Sequence, residues 1–287
     1  MPKHARAQRA ELLPPDALRG KALGISVSES PDLNRLGLFD DQLRMTLGEL
    51  TRAVIVAGGD LYYGGHLEED GYTRFLIDEL QRYGRRDRPL KVCLAWTEHR
   101  KMSAAEKTAQ YRLLGLFGEI AFLSQKGERL KVEELNEIET DFSDDVKADS
   151  LRSLRKFMIE KTHARILLGG KRSGFQGDMP GIVEEALISL ERRQALYLAG
   201  GFGGATLDLV RTIRPENAAW LPEQKGEAQN ARLTQGLEQL RKLIEDKGWD
   251  GQKNGLDPDE NRLLAASYRP SEIAALVGLG MGRLLAE

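Results

Sequence analysis

Short apolar runs alternate with longer amphipathic segments along most of the chain. The apolar runs are predicted to be strands: Ala22–Val27, Ala53–Ala57, Leu90–Trp96, Glu119–Ser124, Ala164–Leu168 and Ala195–Ala199. The segments between them carry apolar residues at helical spacing, as in Gly181–Arg192, where Ile182, Ala186, Leu187 and Leu190 recur. Strands that are apolar on both faces and alternate with helices indicate a parallel sheet covered by helices on both sides.

The alternation therefore predicts an α/β fold, with a doubly wound, Rossmann-like parallel sheet of about six strands, over residues 20–213. Beyond that point the chain contains two prolines and a polar run before its amphipathic segments resume. Residues 214–287 are predicted to form a C-terminal helical extension, which packs against the α/β body or forms a dimer surface.

Glycines are concentrated directly after three of the predicted strands. They are Gly58, Gly59, Gly64 and Gly65 after the second strand, Gly169 and Gly170 after the fifth, and Gly200, Gly201 and Gly203 after the sixth. Glycine lets the backbone approach a ligand closely, and the first amides of a following helix attract an anion. Because the carboxyl ends of parallel strands share one edge of the sheet, these loops are expected to bind one anionic, sugar-containing ligand together. For each cluster alone, tight packing between strand and helix is the alternative.

The standard phosphate-binding motifs are missing from these loops. Gly169-Gly170-Lys171-Arg172-Ser173 contains lysine and serine but lacks the spacing of a P-loop, which disfavours a P-loop kinase or ATPase. The first strand is followed by serines instead of the G-x-G-x-x-G of redox Rossmann sites. The hydroxyls of Ser28 and Ser30 either hold a phosphate or ribose or simply form a turn before Pro31.

Composition and charge narrow the classes of function. The chain has 42 Lys and Arg against 44 Asp and Glu, for a net charge of −2, so nucleic acid is not an expected partner. The lone Cys93 excludes an internal disulfide, and the histidines lack metal-ligand spacing, so no metal site and no cofactor are predicted. The apolar runs are too short to span a membrane and the amino-terminal segment lacks a signal-peptide core, which predicts a cytoplasmic protein with no membrane partner.

Four segments in the second half of the predicted sheet domain resemble a known superfamily. They are Leu154-Arg155-Lys156-Phe157-Met158, Ala164–Leu168, Gly169-Gly170 and Gly181-Ile182-Val183-Glu184-Glu185. Together they resemble the SLOG superfamily, which unites the Lonely Guy phosphoribohydrolases, the DprA-type DNA-binding proteins, the sensor domains of TRPM channels and many prokaryotic conflict-system proteins. The resemblance covers about residues 20–213 and implies a Rossmannoid fold with a nucleotide-shaped pocket.

The resemblance also implies roles for two residues. In Lonely Guy enzymes, a helical arginine and the glutamate of P-G-G-x-G-T-x-x-E form the catalytic pair, and Arg155 and Glu185 match these positions. The segments Gly24–Glu29, Gly58–His66 and Tyr197–Gly204 look like the prokaryotic branch linked to TIR-type immune and nucleotide-signalling systems.

The chain departs from the phosphoribohydrolase pattern in four ways. Leu168 stands where that pattern has proline, Ile182 stands at its threonine, and ten residues, Lys171–Pro180, separate Gly170 from Gly181. The spacing from the arginine to the glycine pair is also shifted by one or two residues. The resemblance therefore supports the pocket more firmly than it supports hydrolysis.

Several polar and aromatic side chains have two interpretations at this stage. Glu185 is a catalytic carboxylate or a ligand of ribose hydroxyls, and Glu184 and Glu185 together are otherwise ordinary first-turn residues that complement the helix dipole. Lys171 neutralises a phosphate or is a solvated loop charge. His66 is an acid/base group or a metal ligand, and Phe202 stacks on a base or packs in the core.

The preferred hypothesis is a protein that binds a nucleotide-derived small molecule, such as an ADP-ribose-like or cyclic nucleotide signal, as a sensor or effector of a bacterial antiviral or stress-signalling pathway. The alternative is a Lonely Guy-type hydrolase that cleaves the N-glycosidic bond of a nucleotide or an NAD-derived metabolite. A third hypothesis, single-stranded DNA binding, is disfavoured by the balanced charge. We expect a homo-oligomer.

Overall fold

The computed structural model describes residues 14–65, 71–83, 86–131, 135, 138–221 and 230–284, with residue 74 described by its backbone alone. Six parallel strands form one sheet in the order β4-β3-β2-β1-β5-β6. The strands are β1 (Ala22–Ser28), β2 (Asp60–Tyr63), β3 (Leu90–Leu94), β4 (Gly118–Phe122), β5 (Ala164–Gly169) and β6 (Ala195–Ala199). The doubly wound α/β prediction is confirmed.

Helices connect the strands and continue beyond the sheet. They are α1 (Asp40–Val56), α2 (Tyr72–Tyr83), α3 (Trp96–His99), α4 (Ala104–Leu114), α5 (Asp144–Lys161), α6 (Gly181–Glu191), α7 (Gly204–Ile213), α8 (Ala231–Lys247), α9 (Pro258–Ala266) and α10 (Pro270–Leu284). Among the described residues, none of these helices combines the length and apolar character needed to cross a bilayer.

Both faces of the sheet are buried, because alternate residues of each strand meet helices on opposite sides. Leu23 and Ile166 face a core that includes α1, α2 and α10. Leu167 and Leu196 face a second core built with α6, α7 and α8. The helical extension thus contributes α10 to one face and α8 to the other.

The predicted strand Ala53–Ala57 is wrong. Helix α1 continues to Val56, and Leu50 and Val54 extend its buried stripe. An apolar run this short fits a helix and a strand equally well, and burial against the sheet decides for the helix. Gly58 and Gly59 therefore lie before β2 instead of after a strand, which removes them from the carboxyl edge of the sheet. Gly58, with φ +85°, turns the chain, and Gly59 approaches Val54 closely.

Candidate functional site

A cavity of about 710 Å³ opens at the carboxyl edge of the sheet, in front of β1 and β5. From β1 the chain builds outward through β2, β3 and β4, then returns to the other side of β1 to form β5 and β6. The strand order reverses at this point, and the loops after β1 and β5 diverge there, leaving a crevice in which doubly wound proteins bind ligands. The tertiary structure therefore places a cavity of ligand size where the topology predicts a site.

The cavity brings together seven of the residues that the sequence singled out, drawn from five separate segments. They are Ser28, Gly64, Gly65, Arg155, Lys171, Gly181 and Glu185. Another ten do not line it in the part of the chain that the structure describes: Ser30, Gly58, Gly59, Gly169, Gly170, Glu184, Gly200, Gly201, Phe202 and Gly203. His66 lies outside the described residues.

The start of α6 supplies the anion-attracting end of the cavity. Pro180 precedes the helix and provides no side-chain cap, so the first amides of α6 are not covered by a side chain of their own turn. Gly181 lies against Arg155, since a Cβ at Gly181 would stand 2.6 Å from Arg155 Nη2. Lys171 also lines the cavity and is exposed, with no ion-pair partner among the described residues. A ligand phosphate at this end would meet two kinds of positive group.

A cluster of charged side chains lies at the floor of the cavity, next to the start of α6. Arg155 contacts the carboxylate of Glu184, and Arg152 Nε donates a hydrogen bond of 2.7 Å to the same carboxylate. Glu184 is thereby occupied by two guanidinium groups and faces away from the cavity. Glu185 lines the cavity instead, with its Oε1 4.0 Å from Arg155 Nε and 3.4 Å from Arg165 Nη1. Of the adjacent glutamates, Glu185 is the one available to a ligand.

Arg165 is a part of this cluster that sequence analysis missed. Arg165 is the second residue of β5, and its side chain is fully buried. Its guanidinium donates a hydrogen bond of 2.7 Å to Ser26 Oγ and has space because residue 24 is glycine. Burial lowers the pKa of Arg165, and the neighbouring Glu185 carboxylate opposes that shift. An arginine inside an otherwise apolar strand was the available signal, since a buried charge requires partners.

The opposite wall of the cavity also contains groups that no sequence motif indicated. Tyr72 donates a hydrogen bond of 2.5 Å from its hydroxyl to Asp40 Oδ1, and Arg44 Nε donates one of 2.7 Å to Asp40 Oδ2. Burial and the hydrogen bond to Asp40 raise the pKa of Tyr72. These residues come from the starts of α1 and α2, and only the fold places them opposite α6.

The two serines after β1 have different positions. Ser28 lines the cavity, whereas Ser30 is buried and its Oγ accepts a hydrogen bond of 3.2 Å from the Asp32 amide. Ser30 therefore stabilises the turn. After β2, Gly64 and Gly65 line the cavity, and a Cβ at Gly65 would lie 2.2 Å from the ring of Tyr63.

Gly169 and Gly170 do not line the cavity; they allow the ends of β1 and β5 to pack closely. Gly169 has φ +62°, and a Cβ there would stand 2.5 Å from the Ser28 carbonyl oxygen. The Gly170 amide donates a hydrogen bond of 3.0 Å to the same oxygen. The sequence left ligand binding and tight packing as alternatives for this cluster, and the glycine pair is explained by tight packing.

The glycine loop after β6 is closed by the protein's own carboxylate. The Gly204 amide at the start of α7 donates a hydrogen bond of 2.7 Å to Asp32 Oδ2, and Arg172 lies 2.8 Å from the same oxygen. Burial acts to raise the pKa of Asp32, but the hydrogen bonds from Arg172 and Gly204 outweigh it and the pKa is lowered. The prediction that all three glycine loops bind one ligand together is therefore wrong, because the Asp32 carboxylate occupies the loop after β6.

The remaining residues of that loop pack inside the protein. A Cβ at Gly201 would stand 2.1 Å from the Ser267 carbonyl oxygen, and one at Gly200 would stand 2.7 Å from that of Ala265. Phe202 is fully buried, so the core interpretation of its ring replaces the stacking one. A Cβ at Gly203 would collide with Asp32 at 2.4 Å. These close approaches explain why the loop is rich in glycine.

In the described part of the chain, no group of three or more His, Cys, Asp or Glu side chains is placed to hold a metal ion. Cys93 is buried in β3, and burial raises the pKa of its thiol to about 12.

The family model described as SLOG cluster2 matches residues 17–264, which includes the whole sheet, the cavity and helices α8 and most of α9. Neither a curated protein nor a solved structure matches the chain.

Proposed function

The chain belongs to the SLOG family, and on this premise we propose that its cavity binds a nucleotide-derived small molecule, such as an ADP-ribose-like or cyclic nucleotide signal. The observation that carries the proposal is the cavity of about 710 Å³ at the point where the strand order reverses. Its volume falls in the range of small-molecule and cofactor sites, roughly 300–1,000 Å³.

The groups around the cavity match the parts of such a ligand. Lys171 and the first amides of α6 suit a phosphate. Glu185 and Ser28 offer a carboxylate and a hydroxyl to the hydroxyls of a ribose. The opposite wall, with Asp40 and Tyr72, provides polar and aromatic contacts for the rest of the molecule.

We propose that ligand binding by this protein serves signalling. The protein acts as a sensor or effector component of a bacterial antiviral or stress-signalling pathway, in the cytoplasm and as a homo-oligomer. The support is the resemblance of the segments around Gly24–Glu29 and Tyr197–Gly204 to the SLOG branch linked to TIR-type systems.

Native mass spectrometry of freshly purified protein tests the binding proposal. We expect a bound species with the mass of a nucleotide derivative, and the same spectra report the number of subunits. Calorimetry with ADP-ribose and with adenosine 5′-monophosphate should then give stoichiometric binding, with the ligand recovered intact after hours. A protein that carries no nucleotide and binds neither probe would contradict the proposal.

A second candidate function is hydrolysis of an N-glycosidic bond. The observation in its favour is that Arg155 and Glu185, which match the Lonely Guy catalytic pair, meet in the cavity, with Nε and Oε1 4.0 Å apart. In that reaction Glu185 would orient a water molecule towards the ribose C1′. The bond from C1′ to the base breaks, the water oxygen bonds to C1′, and the base leaves with the water proton.

Chromatography of a nucleotide monophosphate incubated with the protein distinguishes the two functions. A hydrolase releases free base, and Glu185→Gln should abolish release while binding persists. A sensor leaves the nucleotide intact in both proteins.

A further inference from the structure

The loop between β5 and α6 brings an aromatic ring to the cavity wall. This loop, Lys171–Pro180, is the ten-residue segment that separates the chain from the phosphoribohydrolase pattern. Phe175 lies in its middle and lines the cavity together with its neighbours Gly174 and Gln176. Gly174 at φ +64° and Gly177 at φ +93° turn the backbone on either side of the ring. These two glycines shape the loop in a way that L side chains rarely allow.

Both ends of this loop are tied to the body of the protein. At its start, Arg172 Nε donates a hydrogen bond of 2.7 Å to Asp208 on α7. At its end, Asp178 accepts one of 2.6 Å from Arg152 on α5, and Met179 is buried. A loop that is held at both ends presents its central side chain in a defined position, which reduces the entropy lost when a ligand binds.

Helix α8 supports the ring from outside the cavity. The Arg232 guanidinium lies over the Phe175 ring, 4.9 Å from its centroid, and Arg232 Nη1 donates a hydrogen bond of 2.8 Å to the Gly177 carbonyl oxygen. Phe175 lines the cavity, whereas Arg232 does not. The cation–π contact and the hydrogen bond together fix the orientation of the ring.

We propose that Phe175 is the stacking platform for the base of the ligand and that Arg232 braces it; this inference rests on the proposed nucleotide-binding function. Any base can stack on an aromatic ring, because every base has a π face. Phe175 is half-buried with Arg232 on one side, whereas Tyr63 is only 5% exposed. Tyr72 also lines the cavity, but its hydroxyl is held by Asp40 in the polar wall opposite the phosphate-binding end. The same loop carries Lys171, so base and phosphate would both be held by the segment that distinguishes this chain from the hydrolase pattern.

Calorimetry with paired probes tests the platform. Adenosine 5′-monophosphate contains a base, and ribose 5-phosphate lacks one. We expect Phe175→Leu to weaken adenosine 5′-monophosphate binding about tenfold, in the range measured when a stacking aromatic is removed, and to leave ribose 5-phosphate binding unchanged. Phe175→Tyr keeps the ring and should retain affinity. Arg232→Met should weaken adenosine 5′-monophosphate binding about threefold, because the ring loses its brace but remains.

Phe157→Leu is the matched control. Phe157 also has a cation over its ring, with Lys161 Nζ 5.7 Å from the centroid, but it does not line the cavity. Its substitution should leave both affinities unchanged.

The outcomes separate this inference from the proposed function. If wild-type protein binds ribose 5-phosphate as tightly as adenosine 5′-monophosphate, or if Phe175→Leu binds adenosine 5′-monophosphate as tightly as wild type does, the platform is wrong and the binding function stands. If the wild-type protein binds neither probe and also fails to bind ADP-ribose, the proposed function fails and the platform fails with it.

Discussion

The loops after β5 and β6 begin with similar sequences, but one borders the cavity and the other is filled by a side chain of the protein. Each follows a fully buried strand, opens with a pair of glycines and leads into a helix that has no side-chain cap in its own turn. The loop after β5 borders the cavity through Lys171 and Gly181. The loop after β6 is filled by Asp32, whose carboxylate takes the Gly204 amide.

The difference shows that a strand–glycine–helix pattern predicts free helix amides but not which anion occupies them. After β5, ten residues displace the start of α6 towards the cavity, where solvent and ligand have access. After β6, only four residues precede α7, and the loop that follows β1 places Asp32, 172 positions earlier in the chain, against the Gly204 amide. The chain's own carboxylate then takes the place that a ligand phosphate would have.

The largest expected effect follows from removing this internal anion. Asp32→Ala leaves the Gly204 amide without its acceptor and takes one of two carboxylates from Arg172. We expect the free energy of unfolding to fall by about 3 kcal/mol, as when one partner of a buried charged pair is lost. Urea denaturation measures it. Glu29→Ala, an exposed acidic residue in the same loop, is the control and should change stability by less than about 0.5 kcal/mol.

A smaller effect is expected when alanine replaces one glycine in each loop. Gly203 has φ +71° and its Cβ would collide with Asp32, so Gly203→Ala should lower the free energy of unfolding by about 2 kcal/mol or more. Gly174 has φ +64° but open space around a Cβ, so Gly174→Ala bears only the backbone cost of about 1 kcal/mol. Equal losses in thermal or urea unfolding would show that the two loops are packed alike.

The smallest expected effect separates two neighbouring cations. Lys171→Ala should weaken ADP-ribose binding about fivefold, which is about 1 kcal/mol, and leave unfolding unchanged, because Lys171 faces the cavity without an ion-pair partner among the described residues. Arg172→Lys should instead lower stability by about 1 kcal/mol, because lysine cannot reproduce the paired hydrogen bonds to Asp208. The reverse pattern, in calorimetry and urea unfolding, would mean that Arg172 contacts the ligand and Lys171 stabilises the fold.

Much of the fold and part of the site could be predicted from the sequence. Five of the six strands were located because their apolar runs are bounded by turns, but Ala53–Ala57 was misassigned because a short apolar run has no distinct period. Arg155 and Glu185 were found through their resemblance to a motif. Asp40 and Tyr72 were not, since they come from different helices and their contact depends on how α1 and α2 meet.

The sequence by itself determined the alternation of strands and helices, the edge of the sheet that carries the glycine loops, and the family. The first two properties depend on periodicity and backbone preference, which act over a few neighbouring residues. The family follows from the match of the chain to a family model. The tertiary structure decided which loop stays open and which of Glu184 and Glu185 faces the cavity. It also buried Phe202 in the core and placed Phe175 at the cavity. Those outcomes depend on hydrogen-bond and packing partners that are distant along the chain, and no local pattern specifies such partners.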